Sequence, residues 1–213
     1  MFVKPRFALI LLVGLAAAGC KSPSEKYEAC AAKCSSFKTD LVRDVCEGSC
    51  ARTAYGDLDV DKLRGLCEKG DSRACLRFAS RAPKGEVASV LEARCNANDK
   101  MCCGLLGRML KDGKILAKNK TKGYALMEKA CKMGAPNFCA SPALGYMTKR
   151  EYDRAAPLAT TGCNGGAKWS CGLLGVMYRD GKGVSRDRGK AKLYLGKACR
   201  KGLQMSCKAL RRL

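Results

Sequence analysis

The chain is 213 residues long, with 41 basic and 19 acidic side chains, sixteen cysteines and no histidine. Without histidine there is no Ser-His or Cys-His catalytic pair and no imidazole ligand for a zinc ion, and the cysteine spacings lack the paired CxxC knuckles of structural zinc sites. The formal charge of +22 favours anionic partners, and half of it falls in the last 53 residues, which hold 13 basic and 2 acidic side chains.

Residues 1–6, MFVKPR, carry Lys4 and Arg6 and no acid; the apolar run FALILLVGLAAA follows from Phe7 to Ala18 and ends in Gly19-Cys20. A basic start, a dozen apolar residues and a small-residue cut site form an export signal, and the run is too short to be a comfortable membrane span. Residues 17–20, AAGC, resemble the bacterial lipobox, with Ala17 where leucine is more usual. The resemblance implies a signal peptide over 1–19, acylation of Cys20 as the first mature residue and a polar tether over 20–26. Lys21, where Asp would hold a lipoprotein at the inner membrane, implies an outer-membrane address. The alternative is an ordinary secretion peptide cut near Gly19. Fifteen further cysteines fit an exported chain in either case, because disulfides persist in oxidising compartments.

Residues 25–54 read as a helical hairpin carrying two CxxxC pairs, Cys30/Cys34 and Cys46/Cys50. A spacing of four puts both cysteines of a pair on one helix face, with Thr39 or Asp40 placed to cap the second helix. Two antiparallel helices then pair outer with outer and inner with inner, as Cys30–Cys50 and Cys34–Cys46, and the bridges stand in for a core too small to hold the unit. The hairpin resembles other twin-CxxxC hairpins in architecture alone. Ser35-Ser-Phe-Lys38 fits the S-x-x-K element of serine β-lactamases, but the S-D-N and K-T-G elements occur nowhere.

From residue 57 to 213 the chain repeats. Five cysteine pairs share a separation of eight: Cys67–Cys75, Cys95–Cys103, Cys131–Cys139, Cys163–Cys171 and Cys199–Cys207. Three residues after each first cysteine stands Gly70, Asn98, Gly134, Gly166 or Gly202, the residue types that tolerate a positive φ just past a helix end. Four residues before it stands Leu63, Leu91, Met127, Ala159 or Leu195, one turn back on the same face. The pattern predicts a helix A ending at the first cysteine, a tight turn, and a helix B opening near the second, stapled by the bridge. Lys-Asp-Gly at 111–113 and Arg-Asp-Gly at 179–181 mark the longer B-to-A loops. Two helices per period predict an all-α fold, an α/α solenoid of disulfide-stapled hairpins.

Residues 163–184, CNGGAKWSCGLLGVMYRDGKGV, together with KAKLYLGKAC at 190–199, resemble the Sel1-like repeat family and its cysteine-rich, Helicobacter-type secreted branch. The likeness extends over about 60–210. It implies a superhelix of hairpins, each tied by one disulfide, with a concave face open to ligands. That branch has also been linked to penicillin binding and weak β-lactamase activity, so the alternative to a scaffold is a β-lactamase-like or peptidoglycan-binding protein. Two departures stand out: Leu144-Gly145 comes two residues late, after an inserted Pro142, and unit 57–80 is short and polar.

Cys102, beside Cys103, is the odd cysteine. It is free and partly buried, pairs outside the scheme, or competes for Cys95; the unpaired thiol is the favoured reading. Tyr124, Tyr146, Tyr178 and Tyr194 recur at helical positions and read as inter-repeat packing. Trp169, with Lys168, Arg179 and Lys182, forms the candidate interaction edge. No residue set points to a catalytic centre, metal or cofactor. The expected function is a non-catalytic scaffold tethered to the membrane by its N-terminal lipid, binding an anionic envelope protein or wall polymer; no nucleic-acid motif accompanies the charge.

Overall fold

The computed structural model describes residues 22–35 and 40–213. The export signal, Cys20, Thr39 and the 36–38 part of the S-x-x-K match lie outside the described residues. Within them every regular element is helical: α1 (Pro23–Cys34), α2 (Asp40–Tyr55), α3 (Val60–Glu68), α4 (Ser72–Arg81), α5 (Lys84–Asn96), α6 (Lys100–Asp112), α7 (Lys120–Lys132), a 3-10 turn (Pro136–Phe138), α8 (Ala140–Thr148), α9 (Tyr152–Asn164), α10 (Lys168–Asp180), α11 (Arg188–Arg200) and α12 (Gln204–Arg211). No described helix is long and apolar enough to cross a membrane.

A single backbone device builds the repeats. At the end of each A helix (α3, α5, α7, α9, α11) the positive-φ residue donates its N–H to the carbonyl of the first cysteine, as Gly70 does to Cys67 at 2.9 Å. The next residue donates one step further back, as Asp71 does to Leu66 at 3.0 Å. The same two bonds recur at Asn98, Gly134, Gly166 and Gly202, whose φ values run from 62° to 83°. This is the Schellman closure, and it requires a residue at ease in the left-handed region. It reverses the chain so tightly that the cysteine eight residues on arrives opposite the first, with Cα–Cα distances of 4.4–4.9 Å, within bridging range.

A helices then flank A helices, α3 beside α5 and α7 beside α9, while B helices flank B helices, α4 beside α6, α8 beside α10 and α10 beside α12. Each B helix also lies against the next A helix. In two of these seams glycine brings backbones together: a Cβ on Gly107 would stand 2.7 Å from the Gly123 carbonyl oxygen, and one on Gly175 would stand 2.9 Å from the Leu195 amide nitrogen. Tyr178 of α10 stacks on Tyr194 of α11 with centroids 5.5 Å apart.

The third repeat departs from the others for a local reason. In α4, α6, α10 and α12 the second cysteine is the fourth helical residue, whereas α8 starts only after Cys139 because Pro136–Phe138 forms a 3-10 turn. Pro142 falls in the first turn of α8, where its missing N–H has no intrahelical partner to lose. Ala143, fully buried, fills the small-residue position four after the cysteine that Gly107 and Gly175 fill elsewhere. Leu144-Gly145 is therefore no displaced copy of the Leu-Gly pair, and Leu144 turns outward. The apolar core divides in this repeat, one cluster running from Tyr27 to Phe138 and the other from Cys131 to Leu203.

The α1–α2 hairpin carries its two bridges, Cys30–Cys50 and Cys34–Cys46, each with an S–S distance of 2.03 Å. Ser22 and Glu25 form a capping box at the start of α1. The hairpin does not stand apart from the repeats: Tyr27 and Tyr55 enter the same core as Leu63, Phe78 and Leu91. Arg73 of α4 lies 3.5 Å over the Tyr27 ring, and the Tyr55 and Ser24 hydroxyls both donate to Asp71, at 2.8 and 2.7 Å.

Candidate functional site

Helix α10 places Trp169, Leu173 and Val176 along one face by its 3.6-residue period. Gly172 on that face leaves room for α12, since a Cβ there would stand 2.7 Å from Ser206 Oγ. On one side α8 contributes Ala140 and Leu144, on the other α12 contributes Met205 and Ala209, and together they line a groove of about 340 Å³ across three successive B helices. Leu144, Trp169 and Met205 are 54%, 56% and 71% exposed. Large apolar side chains gathered at an open surface mark a binding site far better than they mark a fold requirement.

A larger cleft, about 900 Å³, lies between α7 and α8 and holds Lys120, Lys129, Lys132, Lys149 and Arg154. Most of its cations are engaged within the chain. Lys132 pairs with Glu128 at 2.8 Å, Lys129 donates to the Cys95 carbonyl at 3.2 Å, and Arg154 lies 4.0 Å over the Tyr146 ring. Tyr146 donates to Glu128. Burial pushes the Glu128 carboxyl upward, but the hydrogen bonds from Lys132 and Tyr146 outweigh it and hold the group below its usual range. The cleft satisfies most of its own charges, whereas the B-face groove leaves its apolar side chains in water.

Of the four residues expected at an interaction edge, the fold brings two together. Trp169 and Arg179 line the same groove. Lys168 precedes Trp169 by one position and lies outside the lining, and Lys182 follows the end of α10, 3.9 Å from Asp180 and 5.9 Å from the centre of the Tyr152 ring. Sequence reasoning missed Leu144 and Met205. The available signal for Leu144 was its offset from the repeat frame.

Cys102 is fully buried, and its Sγ stands 3.4 Å from Cys75 Sγ of the preceding repeat rather than over the Cys95–Cys103 bridge. Burial first, and Asp99 second, push its thiol up to about 12. The sulfurs of Cys67, Cys75 and Cys102 lie within 4.8 Å of one another, but two of them are spent in a bridge and offer no thiolate, so the group does not fit a metal. A chain with Cys20 replaced is expected to take up no iodoacetamide at pH 8 in its native state and one equivalent in denaturant with the bridges intact; rapid native labelling would show that the site opens readily. Ser35 ends α1 with its hydroxyl donating to the Ala32 carbonyl at 2.7 Å.

Antiparallel helix pairs, each closed by a Schellman turn and a disulfide and stacked A on A and B on B, define a helical-repeat solenoid. Residues 101–134 and 170–203 match the Sel1 repeat, so the solenoid carries Sel1 repeats. Both matches begin in a B helix and end in the turn after the next A helix, so they bracket the two glycine seams. Among solved structures, the chain is similar to a Sel1 repeat protein from Oxalobacter formigenes, at 23% identity over 58% of this chain and 96% of that one, with a TM-score of 0.51. It is also similar to c5321, a protective antigen present in uropathogenic Escherichia coli strains, at 19% identity over 72% of this chain, with a TM-score of 0.63; the match spans only 36% of the antigen. A Helicobacter pylori cysteine-rich protein, hcpB, aligns at 22% identity over 71% of this chain and 91% of that one, with a TM-score of 0.34. At these identities the likeness concerns the fold. No curated protein matches the chain. Its disulfides belong to an oxidising compartment, as in an exported protein.

Proposed function

We propose that this protein is a non-catalytic scaffold of the bacterial envelope, tethered by a lipid on Cys20 at the outer membrane, that docks an apolar segment of an anionic envelope protein in the groove of α8, α10 and α12. The observation that carries the reading is the exposure of Leu144, Trp169 and Met205 side by side in one groove. Burying such side chains against a partner is the main driving force of association, each contributing about 1.5–3 kcal/mol when fully covered, and aromatic anchors dominate interface energetics. The short bridged hairpins supply the rigidity that lowers the ordering cost of binding. The polar stretch that precedes α1 serves as the tether, and the excess of basic side chains steers anionic partners toward the surface.

The test is affinity capture from solubilised envelope with the processed protein and with its Leu144→Ser/Trp169→Ser/Met205→Ser variant. These side chains are at least half exposed, so helicity and melting are expected to change little. Recovery of bound protein is expected to fall at least tenfold in the variant. Equal recovery by both proteins would exclude the groove as the docking site.

A further inference from the structure

The groove has a direction. Along α10 the stripe runs Trp169, Leu173, Val176 and then Arg179; along α12 it runs Met205, Ala209 and then Arg212. Trp169 and Met205 share the apolar groove, and Arg179 and Arg212 share a second cleft of about 330 Å³ that also takes in Asp180, Arg186, Arg188 and Leu213. Arg179 belongs to both, so the two form one continuous surface. It is apolar at the helix starts and cationic at the helix ends, about 15 Å further on along α10 and about 10 Å along α12 at 1.5 Å per residue.

The fold alone does not account for Arg186 and Arg188. Arg179 grips Asp180 with two bonds, at 2.6 and 3.0 Å, and leaves that carboxylate occupied. Arg186, Arg188 and Arg212 hold no carboxylate at ion-pair distance among the described residues. A cation at a helix C-terminus is favoured by the helix dipole, which explains Arg179 and Arg212. Arg188 is the first residue of α11 and Arg186 lies just before its Asp187 cap, at the positive end of that helix, where a cation is disfavoured. Arg186 feels the Asp180 carboxylate only at longer range, and guanidinium forks that line one cleft with no ion pair of their own suit carboxylates, which they bind through paired hydrogen bonds.

We infer that the segment docked in the groove carries two or more apolar side chains followed, about 10–15 Å along, by clustered Asp or Glu side chains that seat among Arg186, Arg188 and Arg212. This rests on the groove being the docking site. A peptide suits it better than an acyl chain, because the groove is open along its length: a peptide turns its polar side to solvent, whereas an alkyl chain would leave apolar surface in water.

The probe is a displayed library of random dodecapeptides, selected on the processed protein and counter-selected on its Trp169→Ala/Met205→Ala variant. Recovered peptides are expected to place apolar residues toward one end and acidic residues toward the other. A synthetic representative, followed through the emission of Trp169, the only tryptophan in the chain, is expected to bind at least tenfold more weakly to the Arg186→Gln/Arg188→Gln/Arg212→Gln variant. Replacing its acids by amides should weaken it to a similar extent, with little further loss when both changes are combined. All three arginines are exposed, so the variant is expected to keep its fold. Groove-dependent peptides without acidic bias, or indifferent to the three arginines, would overturn this inference and leave the groove reading standing. Recovery of no groove-dependent peptide would overturn both. Competition for the groove by phosphatidylglycerol vesicles in that case would reassign the surface to anionic lipid.

Discussion

Valine at Gly107 is expected to destabilise the protein by about 3 kcal/mol or more. The reason is where the new atoms would go. A Cβ on Gly107 would lie 2.7 Å from the Gly123 carbonyl oxygen, 2.8 Å from Met127 Cγ and 2.9 Å from the Met127 amide nitrogen. Two of these neighbours are backbone atoms of α7, which cannot rotate aside as a side chain could, so α6 and α7 must move apart along the seam they share. The position opposite is equally tight, since a Cβ on Gly123 would stand 2.7 Å from the Gly107 carbonyl oxygen and 2.7 Å from the Lys111 amide nitrogen. Gly65, inside α3, has nothing within 4 Å of the corresponding point. Gly65→Ala is therefore expected to stabilise by about 0.5–1 kcal/mol through helix propensity and unfolded-state entropy. Urea unfolding with the bridges intact compares the two, and a Gly107→Val protein as stable as the wild type would disprove close backbone contact at this seam.

The repeat was legible because one backbone requirement recurs. A Schellman turn needs a residue tolerant of positive φ three positions after the first cysteine, and Gly70, Asn98, Gly134, Gly166 and Gly202 stand there with φ between 62° and 95°. The binding surface was less legible. Helices of a solenoid are apolar toward their own hairpin and toward the neighbouring repeat, so periodicity shows which side chains are apolar and not which of them a neighbour covers. Leu144 stands five residues after the second cysteine, as exposed Arg108 and groove-lining Val176 do in other repeats, and Met205 stands two before it, as exposed Trp169 does. Lys168 adjoins Trp169 in sequence, yet consecutive helical residues point about 100° apart and do not share a face. The environment of Cys102 was hidden for a similar reason. Its neighbour Cys75 is 27 residues away and is brought close by B-helix stacking rather than by its own hairpin.

The same distinction between local and long-range signals applies to Asp71, whose replacement by alanine is expected to cost about 2–4 kcal/mol. Locally it reads as a helix cap: Oδ1 accepts from the amides of Arg73 and Ala74 at 3.0 and 3.1 Å. Its other oxygen accepts from Ser24 and Tyr55, 47 and 16 residues away in sequence, and so ties the α1–α2 hairpin to the first repeat. Loss of the cap contributes about 1 kcal/mol. Leaving the buried Tyr55 hydroxyl with only the longer bond to Ser24 Oγ, at 3.4 Å, contributes about 1–3 kcal/mol more. In an Asp71→Ala background, Tyr55→Phe is expected to cost much less than in the wild type, and this coupling separates the long-range tie from the cap.

The pH dependence has a definite sign. Burial raises the Asp71 carboxyl, but hydrogen bonds from Ser24, the Ala74 amide, Tyr55 and the Arg73 amide outweigh it and hold the group below its ordinary value. A depressed folded-state value contributes stability that is fully present above the unfolded carboxylate's pKa of about 3.9 and is lost as pH falls through the folded value. The stability gap between wild type and Asp71→Asn should thus stay constant from about pH 7 to pH 5 and narrow below about pH 4. Tyr55 works at the other limit: burial first, and Asp71 among the further causes, push its hydroxyl up to about 12, so its contribution fades as pH rises from about 10 toward 12. A gap that persists undiminished in acid would show that the carboxylate charge does not carry this tie, and an Asp71→Ala protein that melts with the wild type would show that the hairpin is held by its other contacts.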